Sequence, residues 1–338
     1  MRSSFLRRFG VTLMCAFGSL GLAGGALAAD HVDLPQNGTG TGATTVARPD
    51  ASITDFFAFV NGNKLVMILD LNPFLSPDVQ NYVFPTDVKY RFNVDTNAQI
   101  TIGNDLVSKE FGGVIAAPET IREDYVFEVT FNAQNGPQLN VTGANTTRCR
   151  NLRAATRVFA GLRAEAFIFS PFVRNNIAGI VLEVPLSTVV ESQSKLLLWA
   201  TATVDTPAGP FTELGGRALR SQFGTPAPNF QDLNALHPSQ HKAAGFVRPD
   251  VVIIDVSKPT LFPNGRNLSD DVVTVVDGFT LLPDTDHAAA GLEVSFCEPG
   301  GMFYPCPVPA SATADDVRIL GRFPYLGRPY RPGDGNND

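Results

Sequence analysis

The sequence predicts a mainly β protein, an antiparallel β-sandwich with a few short helices, and three observations carry that expectation. Short runs rich in Val, Ile, Phe and Thr recur along the chain, punctuated by Gly, Pro and Asn. Helical periodicity is scarce, so the long amphipathic crossovers of a parallel βαβ architecture are missing. The 338 residues include 25 phenylalanines and a single tryptophan, Trp199, which supplies aromatic bulk for a core.

Taken in order, the strand candidates are residues 56–60, 64–70, 89–94, 125–131, 179–184, 196–204, 251–256 and 292–296. Their length and β-branched content favour strand over helix. Asn61-Gly62-Asn63 separates the first two and is hairpin chemistry, because Asn and Gly tolerate the positive φ of a tight turn. Helices with plausible caps are limited to 217–223, 230–235, 269–277 and 315–320, all short. These elements are assigned to one large β-rich domain over residues 30–326, although the length also accommodates two fused sandwiches. Residues 327–338, full of Pro, Gly, Arg and Asn, are expected to form a loose tail.

Residues 1–29 have the form of a signal peptide. Arg2, Arg7 and Arg8 give a positive start, residues 11–22 an apolar stretch, and Ala26-Leu27-Ala28 a small-x-small cleavage pattern with the cut after Ala28 or Ala29. The stretch is broken by Gly18, Gly21, Gly24 and Gly25 and is too short to span a bilayer. The expectation is an exported protein of the periplasm or the cell exterior, with Arg7-Arg8-Phe9 leaving the secretion route open between the general and twin-arginine pathways. Losing three arginines takes the formal charge from −7 to about −10. With no run of Lys or Arg left to hold phosphates, nucleic acid is excluded as an expected partner. No later segment reads as a transmembrane helix. Cys15 leaves with the signal, and Cys297 and Cys306 flank a Pro- and Gly-rich loop that a disulfide can close. Cys149 is left over between Arg148 and Arg150, either as a thiol activated by those charges or as an unpaired loop cysteine.

Several separated phrases carry a resemblance. Asp30-His31-Val32-Asp33, Asp50-Ala51-Ser52-Ile53-Thr54-Asp55-Phe56-Phe57-Ala58-Phe59-Val60, Arg157-Val158-Phe159-Ala160-Gly161, Leu182-Glu183-Val184-Pro185, Phe262-Pro263-Asn264-Gly265-Arg266 with Asp270-Asp271-Val272-Val273, and Phe323-Pro324-Tyr325-Leu326-Gly327 follow one another in order. Together they resemble the bacterial family called domain of unknown function 4331. The resemblance implies an exported, β-rich bacterial protein and no particular activity. Many relatives carry an Asp- and Gly-rich turn that looks like a calcium loop. Here the matching stretch, Asn93-Val94-Asp95-Thr96-Asn97-Ala98, lacks the turn glycine and a closing acid, which favours a plain Asn- and Asp-rich β-turn.

Candidate chemistry centres on the new amino terminus. A cut after Ala28 exposes Ala29-Asp30-His31, whose amine, two amide nitrogens and imidazole can wrap square-planar Cu(II) or Ni(II); a cut after Ala29 abolishes the arrangement. An alternative metal site joins His31 and Asp33 to Asp50 or Asp55, against simpler ion-pair and turn-capping roles for both aspartates. His237 and His241 stand at helical spacing, but Pro238 makes His237 a cap and the segment a surface turn. His287, after Asp284 and Asp286, reads as a histidine of an acidic loop. No Gly-x-Ser-x-Gly elbow and no Gly-rich phosphate loop is present. The neighbouring pairs Asp270/Asp271 and Asp315/Asp316 offer carboxylates for hydrolysis, yet adjacent residues on a helix point apart. Arg266 is expected to pair with Asp270 or Asp271, or else to hold a substrate carboxylate. The function these features support is a binding or structural module, with metal capture at the amino terminus as its sharpest form. The alternative is a hydrolase assembled from loops at one end of the sandwich.

Overall fold

The Asn61-Gly62-Asn63 turn closes a hairpin between β1 (Ile53–Asn61) and β2 (Lys64–Leu75), with Gly62 at φ 60°. A computed structural model describes residues 48–104, 108, 111–164, 166, 176–190, 193–207, 209–218, 233–246, 248–270 and 319–334. The remaining strands in chain order are β3 (Val88–Asp95), the short β4 (Ile100–Thr101) and β5 (Val114–Ile115), β6 (Tyr125–Phe131), β7 (Pro137–Gly143), β8 (Arg157–Ala164), β9 (Asn176–Pro185), β10 (Lys195–Thr206), β11 (Gly209–Gly215) and β12 (Val252–Asp255). Three α-helices are described, α1 (Thr146–Ala155), α2 (Leu186–Val189) and α3 (Pro238–His241).

Two antiparallel sheets face each other. One has the order β1-β2-β9-β8; the other runs β11-β10-β3-β6-β7, with β12 also pairing to β10. β11 and β12 lie end to end along the same side of β10, at Ala200–Thr206 and Lys195–Leu198 respectively. Alternation along the strands fills the space between the sheets. Phe56, Leu65, Met67, Leu69 and Ile180 from the first sheet join Tyr90, Phe92, Phe127, Leu198 and Ala200 from the second in one buried cluster. Phe56 and Phe92 meet across the gap with ring centroids 6.3 Å apart. The fold is therefore an antiparallel β-sandwich with few and short helices.

Both sheets are also partly covered on their outer faces, which is why β1, β2, β9 and β10 read as nearly continuous apolar runs. Leu197 and Trp199 of β10 pack outward with Ile121, Leu214 and Ile253. On the first sheet, Phe57, Phe59, Val66, Ile68 and Val181 are capped by Leu268, Tyr325 and Leu326, so the C-terminal segment closes that face.

Several expectations are corrected here. The tail from Gly327 is not loose at its start: Tyr330 is buried, its N–H donates to Asn176 Oδ1 at 2.7 Å, and its carbonyl accepts from Asn176 Nδ2 at 3.0 Å. Cys149 sits buried in α1 rather than in a loop, and desolvation pushes its thiol pKa up despite the flanking arginines. His241 belongs to no surface turn; its ring is fully buried. The expected helix at 230–235 is seen at Leu233 and Asn234, while most of those at 217–223, 269–277 and 315–320 lies outside the described residues. Residues 1–33, the strand at 292–296, Cys297, Cys306 and His287 lie outside them too.

Candidate functional site

A cleft of about 760 Å³ wraps the edge of the first sheet at β8. Its walls come from three parts of the chain that are distant in sequence. Phe159 to Arg163 line it from β8, Gln80, Asn81 and Tyr82 from the β2–β3 connection, and Arg328, Pro329, Arg331 and Asp334 from the C-terminal segment. β8 ends the sheet, and among the described residues no further strand pairs with it.

Each wall is fixed by local chemistry. Tyr82 stacks edge-on against Phe84 at 4.9 Å, and Phe84 lies parallel to Phe131 at 4.1 Å. Asn135, at φ 59°, holds this loop from below: its Oδ1 accepts from Phe84 N at 2.9 Å and its Nδ2 donates to Tyr82 O at 2.9 Å. The C-terminal segment is pinned at three places. Ala164 N donates to Gly327 O at 3.3 Å, Asn176 brackets Tyr330, and the Tyr325 hydroxyl donates to Glu183 Oε2 at 2.8 Å. Arg328 and Arg331 stand on either side of the Tyr330 anchor, so a buried tyrosine sets the position of two exposed arginines.

The electrostatics of the cleft run against those of the chain, which carries a formal charge of −7. Three guanidinium groups line it, those of Arg163, Arg328 and Arg331, against one described carboxylate, Asp334. Asp334 Oδ2 already accepts from the Arg331 backbone N–H at 3.0 Å. Arg163 lies over the Phe159 ring at 4.0 Å, and its Nε is buried with no hydrogen-bond partner among the described residues. Its Nη1 makes one long contact, 3.4 Å to Leu162 O. Burial, and then the charge of Arg328, push the Arg163 pKa down from its ordinary value. A buried donor without an acceptor and two like charges held near each other are both relieved by an anion in the cleft.

The residues singled out from sequence are placed elsewhere. Asp50 accepts from Arg48 at 2.5 Å, and Arg48 forks onward to Asp87 at 3.0 Å. Asp55, fully buried, is paired with Arg266, which is itself nearly buried and lies over the Phe57 ring at 4.2 Å. Arg266 thus pairs with Asp55; of the two expected partners, Asp270 forms no ion pair with it and Asp271 lies outside the described residues. Asp270 Oδ2 instead accepts from the N–H groups of Asn267, at 2.7 Å, and Phe262, at 2.9 Å. Ala29, Asp30, His31 and Asp33 lie outside the described residues, and among the described ones no group of three or more His, Cys, Asp or Glu is placed to hold a metal.

Asp95 and Asp124 form a turn and not a calcium loop. Asp95 accepts from the N–H groups of Asn97, Ala98 and Arg122, while Asp124 accepts from Thr96 and the Asn97 amide. His237 caps α3 as its sequence implies: Nδ1 accepts from Ser239 N at 3.2 Å, and Gln240 Oε1 accepts from His237 N at 3.1 Å. Ser239 Oγ and Glu123 Oε1 also touch this ring, at 2.8 and 3.1 Å. Because the helix cap already occupies Nδ1, the contact is structural and not a poised nucleophile. His241 is a core strut, with Nδ1 accepting from Asp250 N at 3.1 Å and Nε2 facing the carbonyls of Leu233 and Leu236.

Sequence reasoning missed Arg163, Arg328 and Arg331. Arg163 lies about half a chain length before the other two, and the three form no basic run. The signal available was the pair of arginines flanking Tyr330 in an otherwise small and polar tail. Compared with known proteins, the chain matches no family model and no curated protein.

Proposed function

We propose that this protein is an exported binding module that takes a small ligand into the cleft at the β8 edge. The observation that carries the reading is the cleft itself, built from three distant segments and lined by three arginines, one of which, Arg163, has a buried Nε without an acceptor among the described residues. Export rests on the amino-terminal sequence, and the resemblance to domain of unknown function 4331 agrees with it without adding an activity. The hydrolase alternative is weakened because its two described ligands are engaged, Asp50 by Arg48 and Asp55 by Arg266.

A cleft-filling substitution tests the reading. Gly161 lines the cleft, and a side chain added there meets the Phe159 ring at 3.1 Å. Gly161→Leu should fold normally and abolish ligand-induced thermal stabilisation by a soluble extract of small molecules from the producing cells. Equal stabilisation of both proteins by the same fraction contradicts the proposal. Transition-metal capture is a second reading, favoured by the Ala29-Asp30-His31 order alone. It fails if the mature chain starting at Ala29 binds no stoichiometric Cu(II), or if His31→Ala binds it equally.

A further inference from the structure

We infer that the ligand of the β8 cleft is a small, multiply charged oxyanion, of the phosphate or polycarboxylate type, clasped by Arg163, Arg328 and Arg331. This inference rests on the cleft being a binding site and names the chemistry of its occupant.

Three observations carry it. The guanidinium group is a planar fork that matches two oxygens of a carboxylate or phosphate, and three such groups line one cleft. Among the described residues none of the three side chains forms an ion pair, although arginines elsewhere in the fold do: Arg48, Arg91, Arg157 and Arg266 each hold a carboxylate. The buried Arg163 Nε has no acceptor, and its stacking on Phe159 fixes the fork before any ligand arrives. A singly charged ligand leaves at least one positive charge in excess over Asp334. A dianion balances the cleft and a trianion matches its three arginines, and Tyr82 lies beside them.

The origin of the positions also fits recognition rather than folding. Arg328 and Arg331 are exposed and, among the described residues, their side chains make no hydrogen bond or ion pair; Tyr330 and Asn176 hold the segment. Replacing these arginines should therefore leave the fold intact while changing what the cleft holds.

The test is titration calorimetry of the full-length exported protein with inorganic pyrophosphate, citrate and acetate as probes, at low and high salt. The expected result is binding of pyrophosphate or citrate at least tenfold tighter than acetate, weakened by salt. Arg328→Gln and Arg331→Gln should each weaken it about tenfold, and Arg163→Lys should weaken it too because the charge stays but the fork is lost. Preference for pyrophosphate identifies a phosphate-type ligand, and preference for citrate a carboxylate-type one; either supports the inference. If a ligand enters the cleft, as shown by its loss in Gly161→Leu, but the three arginine variants bind it unchanged, the oxyanion assignment is overturned and the binding module stands. If Gly161→Leu changes nothing and no probe binds, both are overturned.

Discussion

Arg266 shows how one residue is decided by geometry that sequence spacing does not contain. From the sequence its natural partner is Asp270 or Asp271, a turn away; in the fold it reaches across to Asp55, with Asp271 outside the described residues. The reason is a β-bulge. Register slips between Ile53 and Asp55 against β2, and the extra residue turns Asp55 from the core side to the outer face, where Phe57 and Arg266 lie. Removing one member of a buried ion pair strands the other, which costs about 3–5 kcal/mol. Arg266→Met should lower the denaturant midpoint accordingly, and the double variant Asp55→Leu/Arg266→Met should recover much of the loss. If the double variant is as unstable as the sum of the two single ones, the pair is not what holds these residues. Other single residues were legible: Pro238 fixes His237 as a cap, and Asn97 after Asp95 announces an Asx-type turn. The burial of His241 and Cys149 was not, because it comes from what packs over them and not from their neighbours in sequence.

At the scale of elements, strands with at least one fully buried face were the readable ones. β1, β2, β3, β6, β9, β10 and β12 all carry runs of Val, Ile, Leu and Phe, and each overlaps a sequence-level candidate. β7, β8 and β11 were missed as strands because they lie toward the sheet margins and are partly exposed, so their sequences mix Arg, Gly, Gln and Pro. α1 was missed for a similar reason: only Cys149 and Leu152 of its ten residues are buried, leaving almost no apolar stripe to detect. Asn145 nonetheless caps it by accepting from Arg148 N. Where β11 ends and β12 approaches, the two chains come very close. A Cβ on Gly216 would lie 2.4 Å from the Asp250 carbonyl oxygen, which is backbone and cannot swing aside. Gly216→Ala should therefore cost about 1–3 kcal/mol. A neutral result would mean that the β11 and β12 ends are free to separate.

Across the whole molecule, class and layer architecture were legible, while the cleft was not. Sheets and hairpins follow from local pattern, whereas the cleft needs β8, the β2–β3 connection and the C-terminal segment to arrive at one place. One wall also reports on the assembled state. Burial pushes the Tyr82 pKa up to about 12, against about 10 for an unfolded tyrosine. The folded state therefore keeps a proton that the unfolded chain releases, so this contribution is full below pH 10 and is lost as the pH rises through about 12. Stability should fall over that window, and Tyr82→Phe should fall less steeply than the parent. Identical slopes would place Tyr82 in contact with solvent rather than in the cleft wall.

The central claim is that the β8 cleft holds a small ligand. Native mass spectrometry of the protein taken directly from its producing cells, run beside Gly161→Leu, tests it most directly. The account predicts a bound small-molecule adduct on the parent protein that is missing from the variant. The same adduct on both, or none on either, would contradict it.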